Sequence, residues 1–121
     1  VTRLVLALAL AVCATGAQAV TIEKAVARNA EVEVPIEVAR PAGAGPFPPL
    51  LYVHARRGFE DEDRENLRQL AQDGFLAVAP DWQSGRFIER WPVPHDPATE
   101  GDVEAALDYL LKRPDACRMP V

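Results

Sequence analysis

Apolar and polar residues alternate along Ala30-Glu-Val-Glu-Val-Pro-Ile-Glu-Val-Ala-Arg40, with Val32, Val34, Ile36 and Val38 on one side and Glu31, Glu33 and Glu37 on the other. A period of two residues predicts a half-buried strand. Thr21 to Arg28 alternates in the same way, and Arg28-Asn29-Ala30 between the two suits a hairpin turn, since Asn tolerates a left-handed backbone. Pro35 removes one ladder donor, which predicts an edge strand or a bulge. Leu50 to Val53 and Phe75 to Ala79 are continuous apolar runs, as in strands covered on both faces. Between them, Leu67, Leu70 and Ala71 recur at helical spacing. Acidic residues precede this stretch from Asp61 and Gly74 follows it, which are start and stop signals for a helix. A second helix is predicted after Asp96-Pro97, a cap and a favourable first residue. Its apolar stripe is Val103, Ala106, Leu107, Leu110 and Leu111, and Pro114 ends it. Pro41 to Pro49, with four prolines and two glycines, reads as a surface connection.

Hairpin, strand, helix, strand, helix is an α/β order. The chain has 121 residues, enough for one small domain, and 49% of them are hydrophobic. Its net charge of −5 comes without a basic cluster, which argues against nucleic acid as a partner. At the N-terminus, Arg3 precedes the apolar run Leu4 to Val12, too short for a bilayer span of about 20 residues. Ala17-Gln-Ala19 has the small-x-small form of a cleavage site. Residues 1–19 are therefore read as a signal peptide and residues 20–121 as an exported domain, periplasmic or secreted. A lipoprotein signal at Cys13 is the weaker variant, because Val12 stands where a small residue is required. After cleavage Cys117 is the sole cysteine, so no internal disulfide can form. Two His and one Cys without ligand spacing make no metal site, and no cofactor is expected.

The ordered set Ala39-Arg-Pro-Ala-Gly-Ala-Gly-Pro-Phe-Pro, then Leu50-Leu-Tyr-Val-His54-Ala-Arg-Arg-Gly58, then Leu70-Ala-x-x-Gly-Phe-x-x-x-Ala-Pro-Asp81, then Asp102-Val-x-Ala-Ala-Leu-Asp-Tyr-Leu resembles the dienelactone hydrolase family of α/β-hydrolases. The resemblance covers about residues 21–119. It implies the N-terminal half of an α/β-hydrolase sheet, an antiparallel hairpin followed by parallel strands with covering helices. It further implies a Ser or Cys nucleophile on a G-x-S/C-x-G elbow, with an acid and a His later in the chain. It places one oxyanion donor on the backbone N–H of Arg56, with His54 and Gly58 supporting the loop. In dienelactone hydrolase proper a Glu follows the strand end; Ala55 stands there, so a dienelactone substrate does not follow.

No residue of the chain fits the elbow. Ser84, the only Ser, has Trp82 and Arg86 where small residues are needed, and Cys117, between Asp115 and Met119, fails the same test. The elbow is expected just after Met119-Pro-Val121, which makes this a truncated hydrolase domain, inactive by itself. Its substrate would be a small ester or lactone. His54 is read as a brace of the loop, since the family's catalytic His comes after the acid, and His95 as a loop residue. Arg56, Arg57 and Arg86 are candidates for binding a substrate carboxylate or are solvated surface; Arg86, after a sheet strand, is the best placed. Asp81 reads as a turn residue. Trp82 and Phe87 either line a pocket or cover the core. The rival reading is an exported binding domain or an inactive remnant, whose uncovered sheet edge would invite self-association. A nucleotide-binding half is disfavoured, because His54-Ala-Arg-Arg-Gly58 has one glycine where a phosphate loop needs three.

Overall fold

The computed structural model describes residues 19–88 and 96–118. Nearly all of the expected signal peptide, Cys13, His95 and the segment from Met119 onward lie outside the described residues. The elements are β1 (Thr21–Asn29), β2 (Val32–Arg40), β3 (Pro49–Leu51), α1 (Asp61–Gln72), β4 (Leu76–Pro80) and α2 (Ala98–Leu111), with a short 3-10 turn at Ser84–Arg86. The four strands form one sheet in the order β1-β2-β4-β3. β1 and β2 are antiparallel, β2 and β4 are antiparallel, and β3 runs parallel to β4.

β4 sits inside the sheet and is buried along its whole length. Its side chains divide by the period of two. Leu76 and Val78 join Val34, Ile36, Val38, Ala106 and Leu110 on the α2 side. Ala77 and Ala79 join Ala39, Leu67 and Ala71 on the α1 side. The result is three layers, helix on sheet on helix, as an α/β order requires. Small residues on the α1 side of β2 and β4 leave room for Leu67 to lie fully buried.

Four local expectations are corrected. Leu50 to Val53 is only partly covered: Leu50 packs on the α1 side and Leu51 on the α2 side, but both are half-buried, β3 stands at the sheet's edge among the described strands, and Val53 is exposed. In the hairpin, Ala30 rather than Asn29 takes the left-handed backbone, with φ 50. The Asn29 side chain is used elsewhere, donating to Asp102 at 2.8 Å. Glu37 is not on a solvent face; it is buried under α1, where Arg64 bonds both carboxylate oxygens at 3.0 and 3.1 Å. Pro35 marks neither an edge nor a bulge. Within an antiparallel strand one residue's N–H and C=O point to the same neighbour. The Pro35 carbonyl accepts from the Asp81 N–H at 2.8 Å, so its missing donor falls where the chain leaves β4 and no ladder bond is lost. Gly85 of the 3-10 turn fills that place, its Cβ position lying 3.2 Å from Pro35 Cδ and 3.0 Å from the Glu33 carbonyl.

The helix termini follow the local code. α1 begins where the Asp63 carboxylate accepts the Glu60 N–H at 2.8 Å, half of a capping box. It stops at Gly74, whose φ of 100 suits glycine. At α2, Pro97 already has helical angles (φ −57, ψ −23), and the Asp96 carboxylate accepts the Ala98 N–H at 2.9 Å.

Candidate functional site

The loop after β3 is short and tied at several points. The Ala55 carbonyl accepts from the Gly58 N–H at 3.1 Å and from the His54 ring at 2.8 Å. The Arg56 carbonyl accepts from Gln83 Nε2 at 2.7 Å, and the His54 carbonyl from Trp82 Nε1 at 3.3 Å. Gly58 has φ 101, a left-handed conformation in which a Cβ would be strained. The segment after β4 therefore holds the segment after β3 through Trp82 and Gln83. These are the ends of two adjacent parallel strands, where ligands bind in open α/β sheets.

His54 is 3% exposed. Its ring stacks on Trp82 at 5.1 Å with 9° between planes and meets Phe59 edge-on at 5.7 Å. A carbonyl can only accept, so Nδ1 carries the proton shared with Ala55. Nε2 is buried with no hydrogen-bond partner among the described residues, and lies 3.7 Å from an Asp81 carboxylate oxygen. The brace role expected of His54 thus has a physical form: a ring clamped between two aromatics, bonded to the loop it precedes.

A second layer steadies the same loop. Arg57 donates to the Gly58 carbonyl at 3.0 Å and to buried Asp63 at 2.7 and 3.1 Å. Tyr52 donates to Asp63 at 2.7 Å. Burial would raise the Asp63 carboxyl, but bonds from Arg57, the Glu60 N–H and Tyr52 outweigh it and hold the group down at about 2. Desolvation and the Asp63 carboxylate push the Tyr52 phenol up.

The loop opens on a cavity of about 560 Å³, whose wall includes His54, Ala55, Arg56, Trp82 and Val103. Trp82, a candidate wall residue from its position after β4, does line it. Arg86 does not. Its guanidinium is bonded to both oxygens of buried Asp102, at 2.9 Å for Nη2, which couples the 3-10 turn to α2. Asp102 also receives Asn29, so one carboxylate ties the hairpin turn, the loop after β4 and α2 together. Its carboxyl is held low, with burial opposing and the Arg86 and Asn29 bonds prevailing. Phe87 neither lines this cavity nor covers the core; it is 92% exposed. Ser84 starts the 3-10 turn, away from any strand-to-helix turn, and its N–H caps onto Asp81 at 3.1 Å. Among the described residues no group of three His, Cys, Asp or Glu side chains could hold a metal, and no helix is long and apolar enough to cross a membrane.

Gln83 and Asp63 were absent from the candidates read from sequence. Asp63 had a local signal, the acidic start of α1, but nothing local points Gln83 back across the sheet to Arg56.

No protein-family model and no curated protein matches the chain. Solved structures do. A structure described as a dienelactone hydrolase of Klebsiella pneumoniae is 26% identical, with a TM-score of 0.53 over 76% of this chain and 37% of its own. A dienelactone hydrolase-like promiscuous phosphotriesterase from metagenomic libraries is 23% identical, with a TM-score of 0.63 over 82% of this chain and 46% of its own. An acylaminoacyl peptidase of Pyrococcus horikoshii is 16% identical, with a TM-score of 0.62 over 85% of this chain and 18% of its own. The chain thus has the fold of an N-terminal part of the dienelactone hydrolase-like structures, and it spans less than half the length of all three.

Proposed function

We propose that this chain is the oxyanion-loop part of an exported hydrolase that cleaves carboxylic ester or lactone bonds by acyl transfer. The observation that carries the reading is the loop 54–58: it leaves the end of a parallel strand, is tied down by Gln83, Trp82 and Arg57, and opens on the 560 Å³ cavity. The similar hydrolases supply the class, and their differing substrates leave specificity to the pocket rather than to the fold.

In this reading the nucleophile, the acid and the catalytic His come from sequence beyond residue 121. When the nucleophile adds to the carbonyl carbon, the carbonyl oxygen becomes an oxyanion. The Arg56 N–H donates to it, and the elbow's own backbone supplies the second donor. His54 holds the Ala55 carbonyl and Gln83 the Arg56 carbonyl, so the peptide bearing the donor is fixed before charge develops. Preorganised donors of this kind are worth about 2.7–4 kcal/mol each.

The test uses the full-length protein and p-nitrophenyl esters. Arg56→Pro deletes the N–H and is expected to lower kcat by about 100-fold or more. Arg56→Ala keeps the N–H and should stay within a few-fold of the parent. Equal activity in both variants would remove Arg56 from the oxyanion site. Export predicts a secreted or periplasmic protein whose N-terminal residue, by Edman sequencing, is Val20.

A binding role is the second reading. It is favoured by the edge position of β3 among the described strands together with exposed Val53 just past it, which a partner or a second copy would cover.

A further inference from the structure

After α2 the chain returns to the sheet at one point. The Asp115 carbonyl accepts the Phe47 N–H at 2.7 Å, and the Cys117 N–H donates to the Phe47 carbonyl at 2.7 Å, a single parallel bridge between Phe47 and Ala116. Phe47 stands just before β3, and successive residues of a strand bond to opposite neighbours. The Pro48 carbonyl accepts the Leu76 N–H at 2.9 Å and the Tyr52 N–H donates to the Val78 carbonyl at 2.8 Å, so these residues face β4. Phe47, and by the same alternation Leu51, face the outer side. Past the bridge that side is open among the described residues.

A largely buried charge cluster holds the bridge in place. Arg113 donates to the two Asp115 oxygens at 2.8 and 2.9 Å, and Arg40, at the end of β2, donates to one of them at 3.1 Å. The Arg40 guanidinium also lies over the Phe47 ring, 5.0 Å from its centre. Bonds from Arg113, and then from Arg40, outweigh burial and hold the Asp115 carboxyl down at about 2. Removing one member strands the charge of another, so the cluster resists sliding.

We infer that Asp115, held by Arg113 and Arg40, pins the register of a further parallel strand on the outer edge of β3, and that the strand is this chain's own continuation past Cys117. The inference stands apart from the hydrolase reading. With Ala116 opposite Phe47, the outer edge asks for an N–H on the first and third residues after Arg118, to meet the Pro49 and Leu51 carbonyls, and for none on the second. The sequence there is Met119-Pro-Val121, with its one missing N–H at the second place. The same two bonding positions lie on the α1 face beside half-buried Leu50, which suits Met and Val. Ala116 and Phe47 already obey this alternation, since both pack in the cluster on the α2 face. A second copy fits the edge less well. Symmetric edge-to-edge pairing is antiparallel, and the Phe47 end of the edge is already taken by residues 115–117. The added strand presents the next edge in turn, so a piece of chain ending at Val121 keeps one open.

Amide hydrogen exchange in the full-length protein, resolved by NMR, tests this on two adjacent residues. Tyr52 faces β4 and reports on folding; Leu51 faces the outer edge. In a monomer by light scattering, Leu51 should exchange about 100-fold or more below the open-chain rate, as Tyr52 does. Open-chain exchange at Leu51 with Tyr52 protected overturns the inference. Protection of Leu51 that appears only in a dimer and is lost on dilution also overturns it, and assigns the edge to a second copy. In Asp115→Ala, Leu51 should lose about tenfold of its protection while Tyr52 changes little. An unchanged Leu51 removes the cluster as the pin. If Asp115→Ala does not fold, Tyr52 loses protection as well, and Arg40→Gln, which keeps the Arg113 bonds, is read by the same two amides.

Discussion

His54 has two ring nitrogens and one hydrogen bond, and that imbalance defines its role. The Nδ1–H braces Ala55, while Nε2 is buried without a partner among the described residues. His54→Phe keeps the ring between Trp82 and Phe59 and loses only the brace, so it should cost about 1 kcal/mol in urea unfolding. His54→Ala also empties the slot and should cost about 3 kcal/mol or more. Equal losses would show that packing alone holds the loop. The residue type and its place at a strand's end made His54 readable as a brace, but its aromatic neighbours Phe59 and Trp82 lie five and 28 positions downstream, and only the folded chain brings both against the ring. Asp63 carries the acid sensitivity of the same loop. Its folded carboxyl lies at about 2 against 3.8 for the free group. A lowered folded value means that the stabilisation is present above about pH 4 and is lost as pH falls from 4 towards 2. Asp63→Asn should flatten the stability profile across that window, as measured by denaturant midpoints from pH 5 to pH 2.

At the scale of elements, α2 shows where periodicity stops being informative. Its stripe of Val103, Ala106, Leu107, Leu110 and Leu111 identified the helix, but the face turned inward is Thr99, Asp102, Ala106 and Leu110. The apolar stripe is wider than the buried one, and a polar residue, Asp102, is drawn in because Arg86 and Asn29 satisfy it. Leu110 is 0% exposed and Leu111 50%. Leu110→Ala should therefore cost about 2–5 kcal/mol, and Leu111→Ala under about 1 kcal/mol. Gly101 reports on the same rotation. A Cβ there would meet Asn29 Nδ2 at 2.8 Å. Ala gains about 1 kcal/mol over Gly inside a helix, while displacing Asn29 forfeits a hydrogen bond of similar worth. Gly101→Ala should thus be near neutral in the parent and stabilising by about 1 kcal/mol in an Asn29→Ala background. An equal effect in both backgrounds would show that Asn29 does not set the approach of α2 to the hairpin.

For the whole molecule, the sheet order places β3 at an edge of the described sheet, with exposed Val53 just past it. Residues 20–121 expressed alone are expected to self-associate in size-exclusion chromatography with light scattering, and a well-behaved monomer would count against an uncovered edge. The same preparation should not cleave a p-nitrophenyl ester above background; cleavage that needs Ser84 would contradict a nucleophile outside this segment. Local pattern was enough to determine the α/β class, the two helices with their caps, the hairpin and the place of the loop, because alternation, helical spacing and cap chemistry act within a few residues. The tertiary structure alone decided which arginines are committed to buried carboxylates, that Glu37 goes under a helix, and that Gln83 and Trp82 hold the loop at Arg56. Those choices pair groups far apart in sequence, and their energies exist only once burial removes water and leaves each charge to find a partner.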